Sequence, residues 1–229
     1  MLQTGLIGIS ENLSRLKMQI PENVIIIAIS KTRSVTEILE AYNAGQRVFG
    51  ENKVQEITAK QLKLPSDIEW HFIGHLQTNK VKYIAPYINL IHSVDSIKLL
   101  QEINKEAVKN HRKISCLLQF HIATEETKFG LDLSEAQQIL TSTLFKKLDQ
   151  INIRGVMGMA SFSDDPEIVQ KEFRTLHQYF DSLKEEFFGN DESFSEISMG
   201  MSGDFALAIK EGSTMIRIGT SIFGERNHH

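Results

Sequence analysis

The sequence predicts an α/β fold: one closed (β/α)8 barrel of the TIM type with an extra helix at its N-terminus. Eight short apolar runs of β character recur along the 229 residues, helix-period segments separate them, and no linker rich in Pro, Gly or Ser divides the chain. Strands that alternate with helices pair in parallel, because each helical crossover returns the chain to the same end of the sheet. An open doubly wound sheet would show about five or six strands, so eight favours closure. Residues 1–229 are therefore expected to form one domain.

The elements follow in order. An amphipathic stretch from Ile9 to Met18 precedes the first strand, VIIIAIS, whose unbroken β-branched run suits burial on both faces. SVTEILEAYNAG reads as a helix, with Ser34 and Glu37 as a capping box and Gly45 at its exit. RVFGEN, EWHFIG and NLIHSVD are the next strands, separated by the helical KVQEITAKQL and NKVKYIAPY. SIKLLQEINKEAVKN leads to the strand KISCLLQFHIA, and SEAQQILTSTLF, with Ser134 marking its start, leads to NIRGVMGM. A long helix opens at Pro166, where the missing N–H costs nothing, and the strand FSEISMGMS follows. GDFALAIKEG, ended by Gly212, and the strand TMIRIGT complete the set.

Bulk chemistry narrows the function. There are 25 basic and 29 acidic residues, a net charge of −4, and no basic block of the kind that grips nucleic acid. No apolar run approaches the ~20 residues that span a bilayer, and no export signal opens the chain. The lone Cys116, inside ISCLLQF, excludes a disulfide within the chain. A cytoplasmic protein that binds neither nucleic acid nor membrane is expected. The closing His228 and His229 are given no role.

In such barrels the active site gathers at the C-terminal ends of the strands. Lys31 stands there, directly after a run of buried aliphatics, either solvated or held in a low-dielectric pocket where an amine loses its proton more readily and attacks aldehydes. Glu51 and Asn52 end the second strand, and His71, His75, His92 and His121 stand at later strand ends. The last two ends carry Ser198, Gly200, Ser202 and Gly203, then Gly219, Thr220 and Ser221. Glycines and hydroxyls there suit a phosphate, whose oxygens need several backbone N–H groups aimed at one point; they also suit ordinary tight turns. Arg217, between two isoleucines, needs an interior partner, whether a ligand or a carboxylate. His71 and His75 have i, i+4 spacing, but strand and turn between them would split the imidazoles, so no metal site is expected. No GxSxG, GxGxxG or GxxxxGK[ST] motif occurs.

A lysine on the first strand with phosphate-type loops on the seventh and eighth resembles the barrel of the alanine racemase type, in which pyridoxal 5′-phosphate (PLP) forms a Schiff base with that lysine. AISKTRS, VFGENKVQE, WHFIGHLQTNK, MGMASF and SMGMSGDFALAIKEGSTMIRIGTSIFG, taken in order, are similar to the pyridoxal phosphate homeostasis protein family over about Ile25 to Gly224. The resemblance implies PLP fold type III, PLP as the cofactor and Lys31 as the Schiff-base lysine. It implies that Ser198, Gly219 and Thr220 hold the phosphate, that Arg217 faces the pyridine nitrogen, and that Asn52, His71 and Met199 line the pocket.

The same resemblance implies a carrier or buffer in vitamin B6 homeostasis, with apo PLP enzymes as recipients. A guanidinium beside the ring nitrogen cannot accept a proton, so the ring is a poor electron sink and carbanion chemistry is disfavoured. The sequence stops at His229, soon after the eighth strand, with no room for the racemases' second domain. Racemase activity is therefore expected to be slight or absent, and a monomer is expected. The competing readings are a PLP-dependent amino-acid racemase or related lyase, and a barrel that binds another phosphorylated metabolite without a covalent bond. Ala123 and Phe129 depart from the family pattern at the rim, and Lys128 is a candidate second PLP site.

Overall fold

The eight apolar runs close into a ring. The computed structural model describes residues 8–125 and 129–225. Its strands are β1 (Ile25–Ile29), β2 (Val48–Glu51), β3 (Glu69–Phe72), β4 (Leu90–Val94), β5 (Ile114–Phe120), β6 (Ile151–Gly158), β7 (Glu196–Met201) and β8 (Met215–Ile218), all parallel and ordered around the barrel as in the sequence. β8 closes on β1 with Arg217 opposite Ile27.

The helices are α1 (Ile9–Gln19), α2 (Val35–Asn43), α3 (Val54–Gln61), α4 (Val81–Ile84), α5 (Ile97–Lys109), α6 (Leu133–Thr141), α7 (Pro166–Phe187), α8 (Phe205–Lys210) and α9 (Thr220–Phe223). The extra helix α1 buries Ile9, Leu13 and Leu16, and Asn12 Nδ2 donates to the Ile222 carbonyl at 3.0 Å, tying it to α9. At α2 the Ser34 hydroxyl accepts from the Glu37 N–H and the Glu37 carboxylate accepts from the Ser34 N–H, the reciprocal box the sequence predicts. Pro166 opens α7 as expected.

Two local expectations change. Ser134 lies inside α6; the helix begins earlier because Asp132 and Glu135 form their own capping box. NKVKYIAPY yields only a 3-10 turn over Thr78–Lys80 and the single turn of α4, which stops before Pro86 because proline has no N–H to extend the helical ladder.

Alternation along the strands divides the apolar residues into two cores. Ile27, Ile29, Leu90, Leu117, Met157 and Met215 fill the barrel, whereas Ala28, Ile91, Cys116, Leu118, Ile216 and Ile218 face the surrounding helices. Burial of Cys116 pushes its thiol pKa up, as suits an inert core residue. Among the described residues no helix is long and apolar enough to cross a membrane.

Gly155 sits where the β5–β6 register shifts, at φ +150°, and a Cβ built there would lie 1.8 Å from the Glu196 carbonyl oxygen. Gly155→Ala should therefore lower folding stability by about 3 kcal/mol or more. Urea denaturation checks this, and an unchanged midpoint would contradict the close strand approach.

Candidate functional site

A cavity of about 620 Å3 opens at the C-terminal mouth of the barrel. Of the residues singled out from sequence, Lys31, Asn52, Arg217, Gly219 and Thr220 share its wall. Strand parity explains Lys31: Ile27 and Ile29 point inward, and position 31 continues that row past the strand end. Ile29, Ile73 and Met159 supply apolar wall, Ser202 and Gly203 of the expected phosphate-type turn join it, and Gln119 adds a polar group that sequence reasoning had not assigned to the site. Phe129, Met201 and the fully exposed Phe162 stand on the rim.

Arg217 is buried and its guanidinium is firmly held. Nη1 donates to the Ser198 carbonyl and hydroxyl, both at 2.8 Å, and Nη2 donates to the Gly158 carbonyl at 2.9 Å. Burial lowers its pKa to about 10, so it keeps its charge at neutral pH. No carboxylate supplies these contacts: they come from backbone oxygens and one hydroxyl.

The polar chain continues beneath the cavity. Ser198 Oγ lies 3.0 Å from His92 Nδ1, and His92 Nε2 lies 3.0 Å from His71 Nδ1. With Arg217 donating to it, Ser198 has its own proton left for His92 Nδ1, and His92 then donates from Nε2 to His71. Both imidazoles are neutral: burial, with the Arg154 charge adding to it, lowers His71 to about 3, and burial, His71 and Arg217 hold His92 well below the ordinary value.

Three anticipated residues stand elsewhere. Ser198 is fully buried in the barrel interior, bound to Arg217 and His92, and is absent from the cavity wall; Ser202 lies there instead. His71 is buried one layer below the mouth. Met199 is next to inward-facing Ser198 and therefore packs outward in the helix-facing core. A bulge between Ser198 and Met201, with Gly200 at φ +93°, then turns the chain so that Met201 and Ser202 reach the cavity.

His75 stacks on Phe129 at 4.6 Å between ring centroids, far in role from the buried His71, and among the described residues no group of three or more His, Cys, Asp or Glu is placed to hold a metal. Lys128 lies outside the described residues.

Two features leave the wall open to a polar ligand. Asn52 Oδ1 is buried without a hydrogen-bond partner, and a Cβ added to Gly203 would meet nothing within 4 Å, leaving its backbone open to the cavity. Gly219 donates its N–H to Ser202 Oγ at 3.3 Å, which draws the two hydroxyl- and glycine-bearing turns together.

The closed eight-stranded barrel falls within a family: the model described as alanine racemase, N-terminal domain, matches residues 6–227. The chain belongs, more narrowly, to the pyridoxal phosphate homeostasis proteins. It is 41% identical over 204 residues to the pyridoxal phosphate homeostasis protein of Aquifex aeolicus, covering 89% of this chain and 87% of that one. With the protein of that name from Escherichia coli K12 the identity is 34% over 215 residues, covering 91% and 88%. The structure of PipY from Synechococcus elongatus with PLP bound is similar at TM-score 0.85 and 37% identity, covering 94% of this chain and all of that one. Alanine racemase of Clostridium difficile 630 shares the fold at TM-score 0.75 and 14% identity, over 96% of this chain but 60% of the racemase.

The neutral histidines carry a pH signature. Unfolded imidazoles take up a proton near 6.5 while His71 in the folded chain resists until about 3, so stability is full above 6.5 and is lost as pH falls below it. Each imidazole contributes up to about 1.4 kcal/mol per pH unit in that window. Denaturation midpoints from pH 7 to 5 should fall accordingly, and His92→Asn should flatten the slope by about one such contribution.

Proposed function

We propose that this chain binds PLP at the barrel mouth through Lys31 and serves as a cytoplasmic carrier or buffer of the cofactor, handing it to apo PLP enzymes without strong turnover of its own. The observation that carries this reading is that Lys31, Arg217, Gly219 and Thr220 surround one cavity of suitable size. The family membership and the PLP named for PipY support it. PLP bound there supplies an aldehyde with which a lysine amine can condense.

The chain's own residues do the rest. Thr220 and Gly203 offer backbone N–H groups and Thr220 and Ser202 hydroxyls for the phosphate, while Gly219, bonded to Ser202 Oγ, lets the two turns close around it. Arg217 faces the ring nitrogen as a permanent cation with no acceptor to give it, and Ser198 and His92 hold it from below. Ser198 and His71 thus serve the site through Arg217 in this reading, without touching the phosphate. An unprotonated ring nitrogen withdraws electrons weakly, which sets the site against proton removal from a bound amino acid. Asn52 offers its unpaired carbonyl oxygen to a ring substituent. Ile29, Ile73 and Met159 exclude water from around the amine. The fold of residues 1–229 acts as one domain and one PLP-binding unit, a monomer, with a buried free thiol suited to a reducing compartment.

Borohydride treatment in the presence of PLP, followed by peptide mass mapping, should find the reduced adduct on Lys31. Lys31→Ala should lose at least about ten-fold of the trapped cofactor, and equal trapping by that variant would sink the assignment. In deuterium oxide, a panel of amino acids should show almost no α-proton exchange with the loaded protein. Sustained exchange would instead establish the racemase or lyase reading.

A further inference from the structure

Behind Lys31, and outside the cavity wall, lies a buried ionic cluster to which the foregoing gives no role. Lys60 of α3 is 8% exposed, and its ammonium donates to the Ser30 carbonyl, to Glu51 Oε1 and to Glu56 Oε1, each at 2.7 Å. All three of its N–H bonds are thereby used. Glu51, fully buried at the end of β2, also accepts from the Ser30 hydroxyl at 2.7 Å, and Glu56 accepts the Thr32 N–H. Ser30 donates its own N–H to the Gly50 carbonyl at 3.0 Å.

The cluster therefore grips the chain on both sides of residue 31: the Ser30 carbonyl and hydroxyl before it, the Thr32 amide after it. Thr32 holds φ +64°, a conformation that β-branched residues rarely adopt and that persists only where the surroundings over-determine it. Buried ion pairs are weak sources of net stability, yet three charged side chains converge on this one turn.

We propose that Lys60, with Glu51 and Glu56, forms a positioning clamp that fixes the turn Ser30–Thr32 and so aims the Lys31 amine into the cavity. The clamp touches neither phosphate nor ring; it acts only through the backbone of residue 31. This inference rests on the reading of Lys31 as the amine that captures PLP. Capture joins the amine nitrogen to the aldehyde carbon with loss of one water, and borohydride hydride then fixes the bond.

Two ligands separate positioning from general loosening of the site. PLP reports placement of the amine, whereas pyridoxine 5′-phosphate carries an alcohol in place of the aldehyde and reports only the phosphate and ring contacts. With Lys60→Met, the reduced adduct on Lys31 at subsaturating PLP should fall about ten-fold while calorimetric affinity for pyridoxine 5′-phosphate stays within about two-fold. Lys60→Arg, which restores a cation able to reach the same oxygens, should recover most of the adduct. If Lys60→Met does not fold, Glu56→Gln, on the partly exposed side of the cluster, should show the same split between the two ligands. Equal losses for both ligands, or no loss for either, overturn the clamp. A wild-type protein that forms no adduct at Lys31 overturns the functional reading and the clamp with it, whereas a wild-type adduct unaffected by the variants overturns the clamp alone.

Discussion

Closure of β8 against β1 is the constraint on which the site depends. With Arg217 opposite Ile27, the first and last strands become neighbours, and residues about 190 positions apart in sequence share one mouth. Parity does the remainder: Ile27, Ile29 and Lys31 occupy one row, so filling the barrel with isoleucine and carrying the amine at its top are consequences of a single alternation. An open sheet of the same strands would leave β1 and β8 as distant edges and the two groups unconnected.

Placing an arginine inside that barrel obliges the interior to be polar in a controlled way. Each Arg217 contact is matched to an oxygen, and the oxygen that belongs to Ser198 is matched in turn to His92 and then His71. The chain of bonds crosses from β8 to β3 without needing a second charge, because both imidazoles remain neutral. Leu90, Leu117 and Met215 keep the rest of the barrel apolar. The guanidinium is consequently fixed before any ligand arrives.

Much of this was legible in the residues. The strand runs, the order of the elements, Lys31 at a strand end and the glycine and hydroxyl turns after the last two strands all follow from patterns local to the chain. What local pattern could not show was parity across a bulge. Reading SMGMS as one stretch of site residues put Ser198, Met199 and Gly200 together, whereas the structure sends Ser198 inward and Met199 outward, and only after Gly200 does the chain turn to the mouth. Strict alternation would have separated Met199 from Ser198; the bulge itself announced itself only through Gly200. Ser134 was overruled by Asp132 because two acceptable caps lay two residues apart, and only the one with a reciprocal glutamate bond was used. The pairing of His92 with Ser198 joins residues 106 apart and has no sequence signature.

The contact between the first and last helices gives the barrel a second fastening. β8 is bonded to β1 inside, and Asn12 of α1 holds the Ile222 carbonyl of α9 outside, with Leu13 and Ile222 both buried. Neither α1 nor α9 can detach without uncovering the other. The amides of α1, α9 and β8 should thus exchange with solvent as one cooperative unit, giving these elements a shared protection that a linear succession of βα units would lack.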